Sequence, residues 1–520
     1  MAGKSQLKWG SVLSYLQMIL SVVISLVYTP IMIRFLGKGE YGLYNTVSST
    51  IAMLSVLSLG FNSSYIRYFA KYKKEDDNER IYRLNGLFLT IFIVIGTVVF
   101  FVGAFLTFHL NLVFDKGLTE DEYELARILM GLLTVNLSIS LPMSVFSTII
   151  SANERFIFLK VVAMVKTVIG PLLNLVLLYL GFKSIGLVAT TLIIALITDS
   201  VYIYFVIKKL HNRFVFHNIE LSLFRSIFSF TVFIAINLIV DQINNNIDRV
   251  MLGRFKGTET VAIYAVGSSL YTHYIHISTA VSGVFTPRIH KIYNTPAIES
   301  DRDSALTALF IKVGRIQFLI LALIASGIVF FGKAFIGFWV GSGYEESYSV
   351  ALLLILPVSV PLIQNLGIEM QRAANKHRFR SIVYLIMAAC NLILTVFLCK
   401  RYGATGAAVG TAISLVLANG FIMNWYYYKK LNINIPEFWK NIAKMILGMM
   451  PAFVVGLVIH RFFVISTIWS LILFIFLYAL VYFICVWFFS MNSYEKHLLS
   501  DPISRILGLR KEKTDFRVGD

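Results

Sequence analysis

One stretch of the chain places carboxylates and amides inside an apolar run. Residues 237–257 read NLIVDQINNNIDRVMLGRFKG and include Asp241, Asn244, Asn245 and Asp248. On a helix these four positions fall at i, i+3, i+4 and i+7, so they share one face. A carboxylate at membrane depth costs about 2.5–3.5 kcal/mol on insertion scales unless it meets water or a partner. We therefore predict that this face lines a cavity.

The two carboxylates of this face differ in expected depth. Asp248 is about two turns from the outer end of the segment, where it could pair with solvent. Asp241 lies deeper, and we take it as the stronger candidate for chemistry.

Two further charges lie deep in apolar runs. Lys166 is about eleven residues, or ~16 Å of helix, from the nearest loop, and Asp199 lies at a similar depth in the next run. Neighbouring helices would bring them together as an ion pair. Such a pair either serves a cavity or simply fixes the helix register.

Two arginines end apolar runs near the start of the chain. Arg34 ends the first run and Arg67 ends the second. A guanidinium binds phosphate oxygens with two parallel donors, so arginines around a cavity suit a phosphate-bearing ligand. The alternative is that both extend to lipid headgroups.

Composition places these residues in a membrane. Of 520 residues 57% are hydrophobic and 14% are charged, whereas soluble domains have about 25% charged residues. The net charge of +18 comes from short loops rather than from one surface, which disfavours nucleic-acid binding. Three cysteines exclude a disulfide framework.

The apolar runs predict about fourteen spans of ~20 residues each, and thus an all-α polytopic membrane protein. Every second loop is basic, which puts both termini in the cytoplasm. The first run lacks a small-residue cleavage site after it, so we expect that span to be retained.

The chain also contains an internal duplication. RFLGKGEYGLYNTVSS at 34–49 matches RFKGTETVAIYAVGSS at 254–269 with an offset of 220. Because six spans separate the copies, both copies have the same orientation in the membrane and the repeat is parallel. The sequence therefore predicts two lobes of six helices each. We predict four parts: a first lobe at 1–210, a second lobe at 221–431, two additional spans at 438–490 and a basic cytoplasmic tail at 491–520.

The charges of the opening stretch belong to one copy only. Asp241 aligns with Ser21, and Asp248 aligns with Tyr28. A residue that the fold requires should occur in both copies, so this asymmetry favours a specialised site.

Catalytic signatures are absent from the sequence. It has no nucleotide-binding glycine loop, no HExxH and no GxSxG. We expect a protein that is not an enzyme and needs no cofactor.

Three segments resemble a known family: TPIMIRFLGKGEYGLYNTVSS (29–49), LGFNSSYIRYFAKY (59–72) and NNNIDRVMLGRF (244–255). They are similar to the polysaccharide-biosynthesis flippases, the lipid-linked oligosaccharide members (O-antigen and capsule type) of the multidrug/oligosaccharidyl-lipid/polysaccharide exporter superfamily.

The resemblance implies two lobes around a cationic cavity and transport of undecaprenyl-pyrophosphate-linked sugars to the outer leaflet of the inner (cytoplasmic) membrane by alternating access. Arg34, Arg67 and Lys166 would then attract the pyrophosphate, and Asn244 and Asn245 would bind sugar hydroxyls.

The coupling ion in this scheme is H⁺ or Na⁺. It would bind at one of three carboxylates: Asp241, Asp248 or Asp199. The implied partners are the lipid-linked oligosaccharide, membrane lipids and the polymerase or glycosyltransferases of the pathway.

Two other functions stay open at this point. A drug or small-cation antiporter of the same superfamily would need a cavity dominated by carboxylates. A scaffold of an envelope-synthesis complex would have a dry, occluded core.

Overall fold

The computed structural model describes residues 2–114, 118–217, 221–295 and 298–506, and within these residues it contains helices and no strand. The helices up to residue 256 are α1 (Ala2–Met53), α2 (Phe61–Lys74), α3 (Asn78–Phe108), α4 (Glu120–Ala152), α5 (Phe156–Tyr179), α6 (Lys183–Tyr204) and α7 (Leu221–Lys256). The remaining helices are α8 (Thr258–Gly283), α9 (Thr286–Asn294), α10 (Glu299–Val340), α11 (Glu346–Ile363), α12 (Leu366–Ala373), α13 (His377–Leu415), α14 (Asn424–Lys430), α15 (Ile435–Phe462), α16 (Ile468–Cys485) and α17 (Ser493–Ile506). The predicted all-α membrane fold is confirmed.

Ten stretches of the described helices are long and apolar enough to cross a membrane. Two of them, Val12–Lys74 and His377–Lys430, each cover two predicted spans. The predicted seventh and eighth spans, α7 and α8, are not among the ten, and both contain polar side chains along their length. A helix of this kind persists in a membrane when its polar face meets water or protein.

Left-handed backbone turns occur where the sequence predicts connections. Gly37 interrupts α1 with a φ of 76°, and Gly403 interrupts α13 with a φ of 58°. A residue without Cβ adopts this conformation without the steric cost that an L side chain carries. α1 and α13 therefore each consist of two helices that meet at a kink.

The same left-handed turns recur in both copies of the repeat. Aligned pairs with positive φ, at offsets of 220 or 221, are Gly37 and Gly257 (76° and 84°), Lys183 and Gly403 (44° and 58°), Glu154 and Asn375 (58° and 59°), and His211 and Asn432 (51° and 53°). Three of the four pairs include residues other than glycine, for which positive φ is uncommon. This agreement supports the duplication independently of the sequence.

The chain divides into two compact units. The first comprises Met1–His276, Trp339–Val358 and His377–Gly420. Its aromatic core joins α2 to α3, where Tyr65 stacks edge-on against Phe88 and donates a hydrogen bond of 2.6 Å to Asn85. All of the carboxylates singled out above belong to this unit.

The second unit comprises Ile277–Phe338, Ser359–Lys376 and Phe421–Asp520. It contains the additional spans α15 and α16 and the start of the tail. The described part of the predicted basic tail forms α17, in which Glu495 is buried against Arg315 of α10. Residues 507–520 of the tail lie outside the described residues.

Candidate functional site

The predicted polar face exists on α7, and it divides into an open part and a closed part. Asp241, Asn244 and Asn245 are exposed, whereas Asp248 retains 2% of its accessible surface. The separation of seven positions between the two carboxylates corresponds to ~10 Å along the helix axis. One helix face therefore presents two different environments.

Three hydroxyl groups surround the carboxylate of Asp248. Tyr264 of α8 donates to its Oδ2, Thr411 donates to Oδ2 at 2.9 Å, and Thr395 donates to Oδ1 at 3.0 Å. Both threonines lie on α13. Hydrogen bonds from several donors stabilise the ionised form of a carboxylate away from water. Asp248 thus is not paired with solvent at an outer interface, which was the alternative open from the sequence.

A buried amide completes this oxygen-rich cluster. Asn391 is 1% exposed, and its Oδ1 accepts from the hydroxyls of Thr395 and Thr411, each at 3.4 Å. Hydroxyl groups can rotate to present lone pairs instead of hydrogens. The cluster offers a carboxylate, hydroxyls and an amide oxygen, which are the ligand types that hard cations prefer. Among the described residues no group of three His, Cys, Asp or Glu side chains could hold a metal ion.

Arg249 follows Asp248 in α7 and is directed elsewhere. Its Nη2 donates to Ser268 of α8 at 3.0 Å. Its charge acts on Asp248 and also on Tyr41, a buried side chain of α1. The cluster is therefore connected electrostatically to the first lobe.

Asp241 has a different neighbour, at the start of α13. The opposite charge that acts on Asp241 is Arg380, in the first turn of α13. Ser381, the next residue of α13, donates to Asn237 of α7 at 3.0 Å. The open part of the α7 face therefore adjoins α13, as the closed part does.

The predicted ion pair between Lys166 and Asp199 is not among the ion pairs of the described residues, although the two charges interact. Lys166 is exposed on α5, Asp199 is half-buried on α6, and their charges interact. The Oδ2 atom of Asp199 is buried without a hydrogen-bond partner. The two residues are thus neighbours without the close contact that a register-fixing ion pair requires.

The predicted arginines lie on separate helices. Arg34 is exposed on α1 and Arg67 is exposed on α2. Together with Lys166 they give positive side chains on α1, α2 and α5.

The two copies of the duplicated segment pack against each other. A Cβ atom on Gly42 of α1 would lie 1.8 Å from the backbone oxygen of Thr258, and one on Gly253 of α7 would lie 2.4 Å from Thr46. Thr258 also donates to Glu122 of α4 at 3.0 Å. The predicted outer ends of the first lobe and of α7–α8 are thus in backbone contact within the first unit.

Comparison with known proteins agrees with this architecture. A sequence profile of the family described as "Polysaccharide biosynthesis protein" matches residues 8–293, more than half of the chain. The chain belongs to this polysaccharide biosynthesis protein family. The resemblance found in the sequence is therefore confirmed.

Individual relatives are distant. A Shigella flexneri protein named "Putative O-antigen transporter" is 19% identical over 408 residues, which are 77% of this chain and 92% of that protein. The structure is similar to that of the lipid II flippase MurJ in an inward closed conformation, with a TM-score of 0.68 at 15% identity over 96% of this chain and all of that one. It is also similar to an inward-facing multidrug resistance MATE family transporter, with a TM-score of 0.63 at 15% identity over 81% of this chain and 99% of that one. At such identities the structural likeness establishes the fold.

Five members of the α7 neighbourhood were not predicted from the sequence: Tyr264, Arg380, Asn391, Thr395 and Thr411. Asn391, Thr395 and Thr411 are ordinary residues of apolar runs, and Tyr264 lies in the duplicated segment 254–269. The available signal was the i, i+4 spacing of Asn391 and Thr395, which places two polar groups on one face of a span.

Proposed function

We infer that this protein is a transporter that moves a lipid-linked oligosaccharide from the inner to the outer leaflet of the cytoplasmic membrane. The observation that supports this inference is the polar face of α7. One part of this face exposes amides and a carboxylate, and the other part is buried in a cluster of oxygen atoms. Exposed polar residues at membrane depth require water, and a water-filled path suits a polar cargo. Family membership and the O-antigen transporter relative support a glycan as that cargo.

The anionic part of the cargo is proposed to be the pyrophosphate of an undecaprenyl carrier. Arg34, Arg67 and Lys166 are exposed on α1, α2 and α5. Guanidinium and ammonium groups attract phosphate oxygens, and arginine binds two of them at once. Asn244 and Asn245, with both donors and acceptors, are proposed to bind sugar hydroxyls.

Of the three candidate carboxylates, Asp248 suits the coupling ion best. Asp241 and Asp199 each have a basic neighbour, Arg380 and Lys166 respectively, that would repel a cation. Asp248 is instead surrounded by oxygen atoms of Tyr264, Thr395 and Thr411, although Arg249 adds a positive charge nearby. We assign Na⁺ or H⁺ binding to Asp248, with Asn391 as a further oxygen ligand. Asp241 was the stronger candidate by its depth in the helix, but we rank it below Asp248 for binding of the coupling ion.

Alternating access is proposed to involve the first lobe, residues 1–210, moving against the second, residues 221–431. Closure at the predicted outer ends is supported by the approach of Gly42 to Thr258. Lys38 of α1 also lies 3.6 Å from Glu259 of α8. Exposed pairs of this kind contribute little binding energy, so such a contact can open at low cost.

The orientation and the partners are part of the proposal. Alternating basic loops place both termini in the cytoplasm. The enzymes that assemble the glycan on its carrier would supply the substrate at that side, and a polymerase would use the product on the other. The protein itself transports without catalysing a covalent step.

A second candidate function is export of a small cation. The similarity to a multidrug resistance MATE family transporter and the buried carboxylate Asp248 favour it. The basic side chains Arg34, Arg67 and Lys166 oppose it, because they would repel a cationic cargo.

Reconstitution tests the proposed function directly. The purified chain is placed in liposomes that contain an undecaprenyl-pyrophosphate-linked oligosaccharide, and glycan exposure is followed with an impermeant lectin under Na⁺ and H⁺ gradients. We expect protein-dependent exposure that one of the gradients accelerates. Uptake of a cationic dye without any movement of the glycan lipid would support the second candidate instead.

A further inference from the structure

A tryptophan side chain completes the backbone hydrogen bonding of α1. Pro30 lies inside α1 and has no N–H, so the carbonyl of Leu26, four residues earlier, lacks its usual helical donor. The indole Nε1 of Trp339 donates to this carbonyl oxygen at 2.7 Å, across 313 residues of sequence. Trp339 therefore replaces the donor that Pro30 removes.

Burial makes this hydrogen bond costly to break. Trp339 retains 8% of its accessible surface, so its N–H has been removed from water. A buried indole N–H usually forms a hydrogen bond, and a buried group that loses its partner costs more free energy than a typical hydrogen bond contributes. If Trp339 and Leu26 separate, the indole and the carbonyl must both bond to water instead.

The hydrogen bond joins the two predicted lobes at the outer end of α10. Leu26 belongs to the first lobe, residues 1–210, and Trp339 belongs to the second, residues 221–431, while both residues lie within the first compact unit. Trp339 precedes the last residue of α10, and the following loop, 341–345, contains no Lys or Arg. A loop without basic residues is expected on the outer side. A movement that opens the outer path between the lobes would therefore break this bond.

The loop after α10 contacts α1 as well. Its Tyr344 is buried, and the ammonium nitrogen of Lys38 in α1 lies 5.6 Å from the centroid of the tyrosine ring. This distance is within the ~6 Å over which a cation is attracted to an aromatic face. Trp339 and Tyr344 thus hold the same outer segment against α1 at two points.

The proline that makes this contact possible occurs in one copy of the repeat only. Val250 of α7 lies 220 residues after Pro30, and α7 contains no proline. A helix without proline satisfies the corresponding carbonyl from its own backbone. Pro30 is therefore a specialised feature of the first lobe rather than a requirement of the fold.

We propose that Trp339 is a positioning residue of the transport cycle, whose bond to the Leu26 carbonyl stabilises the outward-closed state and breaks when the outer path opens. The inference deepens the proposed function and rests on it. In the closed state the carbonyl that Pro30 leaves available accepts from the indole. In the open state it accepts from water or from a sugar hydroxyl of the cargo. The outer path should therefore open more easily when this bond is removed.

Cysteine labelling of the full-length chain in spheroplasts tests this role. Cys390, the exposed native cysteine, is replaced by alanine, and an Asn245→Cys probe is labelled by an impermeant maleimide added from the outer side. We expect Trp339→Phe, which keeps an aromatic ring and removes the N–H, to raise the labelling rate about three- to ten-fold, as for the loss of one hydrogen bond. The matched control is Trp469→Phe at a position that is 77% exposed, which should change the rate by less than about two-fold.

A second substitution separates the hydrogen bond from the packing of the indole. Pro30→Ala supplies an N–H to the carbonyl of Leu26 within α1 and leaves Trp339 intact. We expect Pro30→Ala alone to raise the labelling rate, because the carbonyl no longer depends on Trp339. In the Pro30→Ala background, Trp339→Phe should add less than about two-fold, since the two substitutions remove the same contact. If Trp339→Phe does not reach the membrane, Pro30→Ala alone decides.

Three results would overturn the role of Trp339. The first is labelling of Trp339→Phe at the rate of Trp469→Phe. The second is labelling of Pro30→Ala at or below the wild-type rate. The third is a full, multiplicative increase in the double variant, which would assign Trp339 to packing alone.

Transport of the glycan lipid by the wild type distinguishes this inference from the function on which it rests. If the wild type moves the glycan lipid and any of these three results is found, only the role of Trp339 fails. If both single variants raise labelling as expected but the wild type moves no glycan lipid, the outer path is gated by this bond and the proposed cargo is wrong.

Discussion

The carboxylate of Asp248 on α7 accepts a hydrogen bond of 3.0 Å from Thr395 on α13, across 147 residues of sequence. Thr411, on the same α13 element beyond the Gly403 turn, donates to the other oxygen at 2.9 Å. The oxygen cluster therefore depends on the distance between α7 and two segments of α13. An ion bound there would hold these segments together, and a relative movement of them would release it.

Neutralising Asp248 should uncouple transport from the ion gradient. We expect Asp248→Asn to lower gradient-driven movement of the glycan lipid about ten-fold or more, since charge-assisted contacts are lost. The measurement is lectin-accessible glycan in proteoliposomes with and without the gradient. Asp76→Asn, which changes an exposed carboxylate, serves as control. Gradient stimulation of Asp248→Asn at the wild-type level would contradict the assignment.

The hydroxyls around Asp248 should stabilise the fold through that carboxylate. Thr395→Val and Thr411→Val keep the side-chain shape and each remove one hydrogen bond to a charged group, worth about 1.5–3 kcal/mol. We expect a lower thermal midpoint for each variant in detergent. In the Asp248→Asn background the same substitutions should lower the thermal midpoint clearly less, because the effects of substitutions at contacting residues are not additive. Equal costs in both backgrounds would mean that the threonines act independently of Asp248.

The close approach of α1 to α8 makes the outer contact sensitive to one methyl group. A Cβ on Gly42 would lie 1.8 Å from the oxygen of Thr258, so Gly42→Ala cannot be accommodated without separating the helices. We expect greater labelling of an Asn245→Cys probe by an impermeant maleimide added from the outer side. Gly327→Ala is the control, because nothing lies within 4 Å of its added Cβ. Unchanged labelling with Gly42→Ala would show that this contact does not close the path.

Much of the fold could be predicted from the sequence because membrane spans are encoded locally. Apolar length indicates each span, and the turn glycines Gly37 and Gly403 lie in the connections that the loops predict. The spans α7 and α8 were also predicted, and both form long helices.

The candidate site could be predicted only in part, because it depends on tertiary packing. Helical spacing puts Asp241 and Asp248 on one face, and that spacing is a local property. The burial of Asp248 depends on α8 and α13, which contribute Tyr264 and Thr395 from distant positions. Distance from a loop therefore ranked Asp241 above Asp248, whereas the surrounding hydroxyls are the reason that we propose Asp248 as the ion site.

The buried ion pair at the start of the tail should contribute strongly to stability. In the second unit Arg315 of α10 donates to both oxygens of Glu495 in α17, from Nε at 2.7 Å and from Nη2 at 2.9 Å. Nη2 also donates to the backbone oxygen of Ser490 at 2.9 Å. Removing one partner of a buried pair leaves the other charge uncompensated and typically costs about 3–5 kcal/mol.

We therefore expect Glu495→Ala to lower the thermal midpoint of the purified chain substantially. The matched control is Glu299→Ala, which removes an exposed partner of Arg302 and should cost about 0–1 kcal/mol. Because a well-packed apolar pair can replace a buried ion pair, the double change Arg315→Met with Glu495→Leu should recover much of the loss. If Glu495→Ala and Glu299→Ala shift the midpoint equally, the ion pair does not anchor α17. If the double change is no better than Glu495→Ala, the stabilisation comes from the hydrogen bond to Ser490 and from packing instead of from the paired charges.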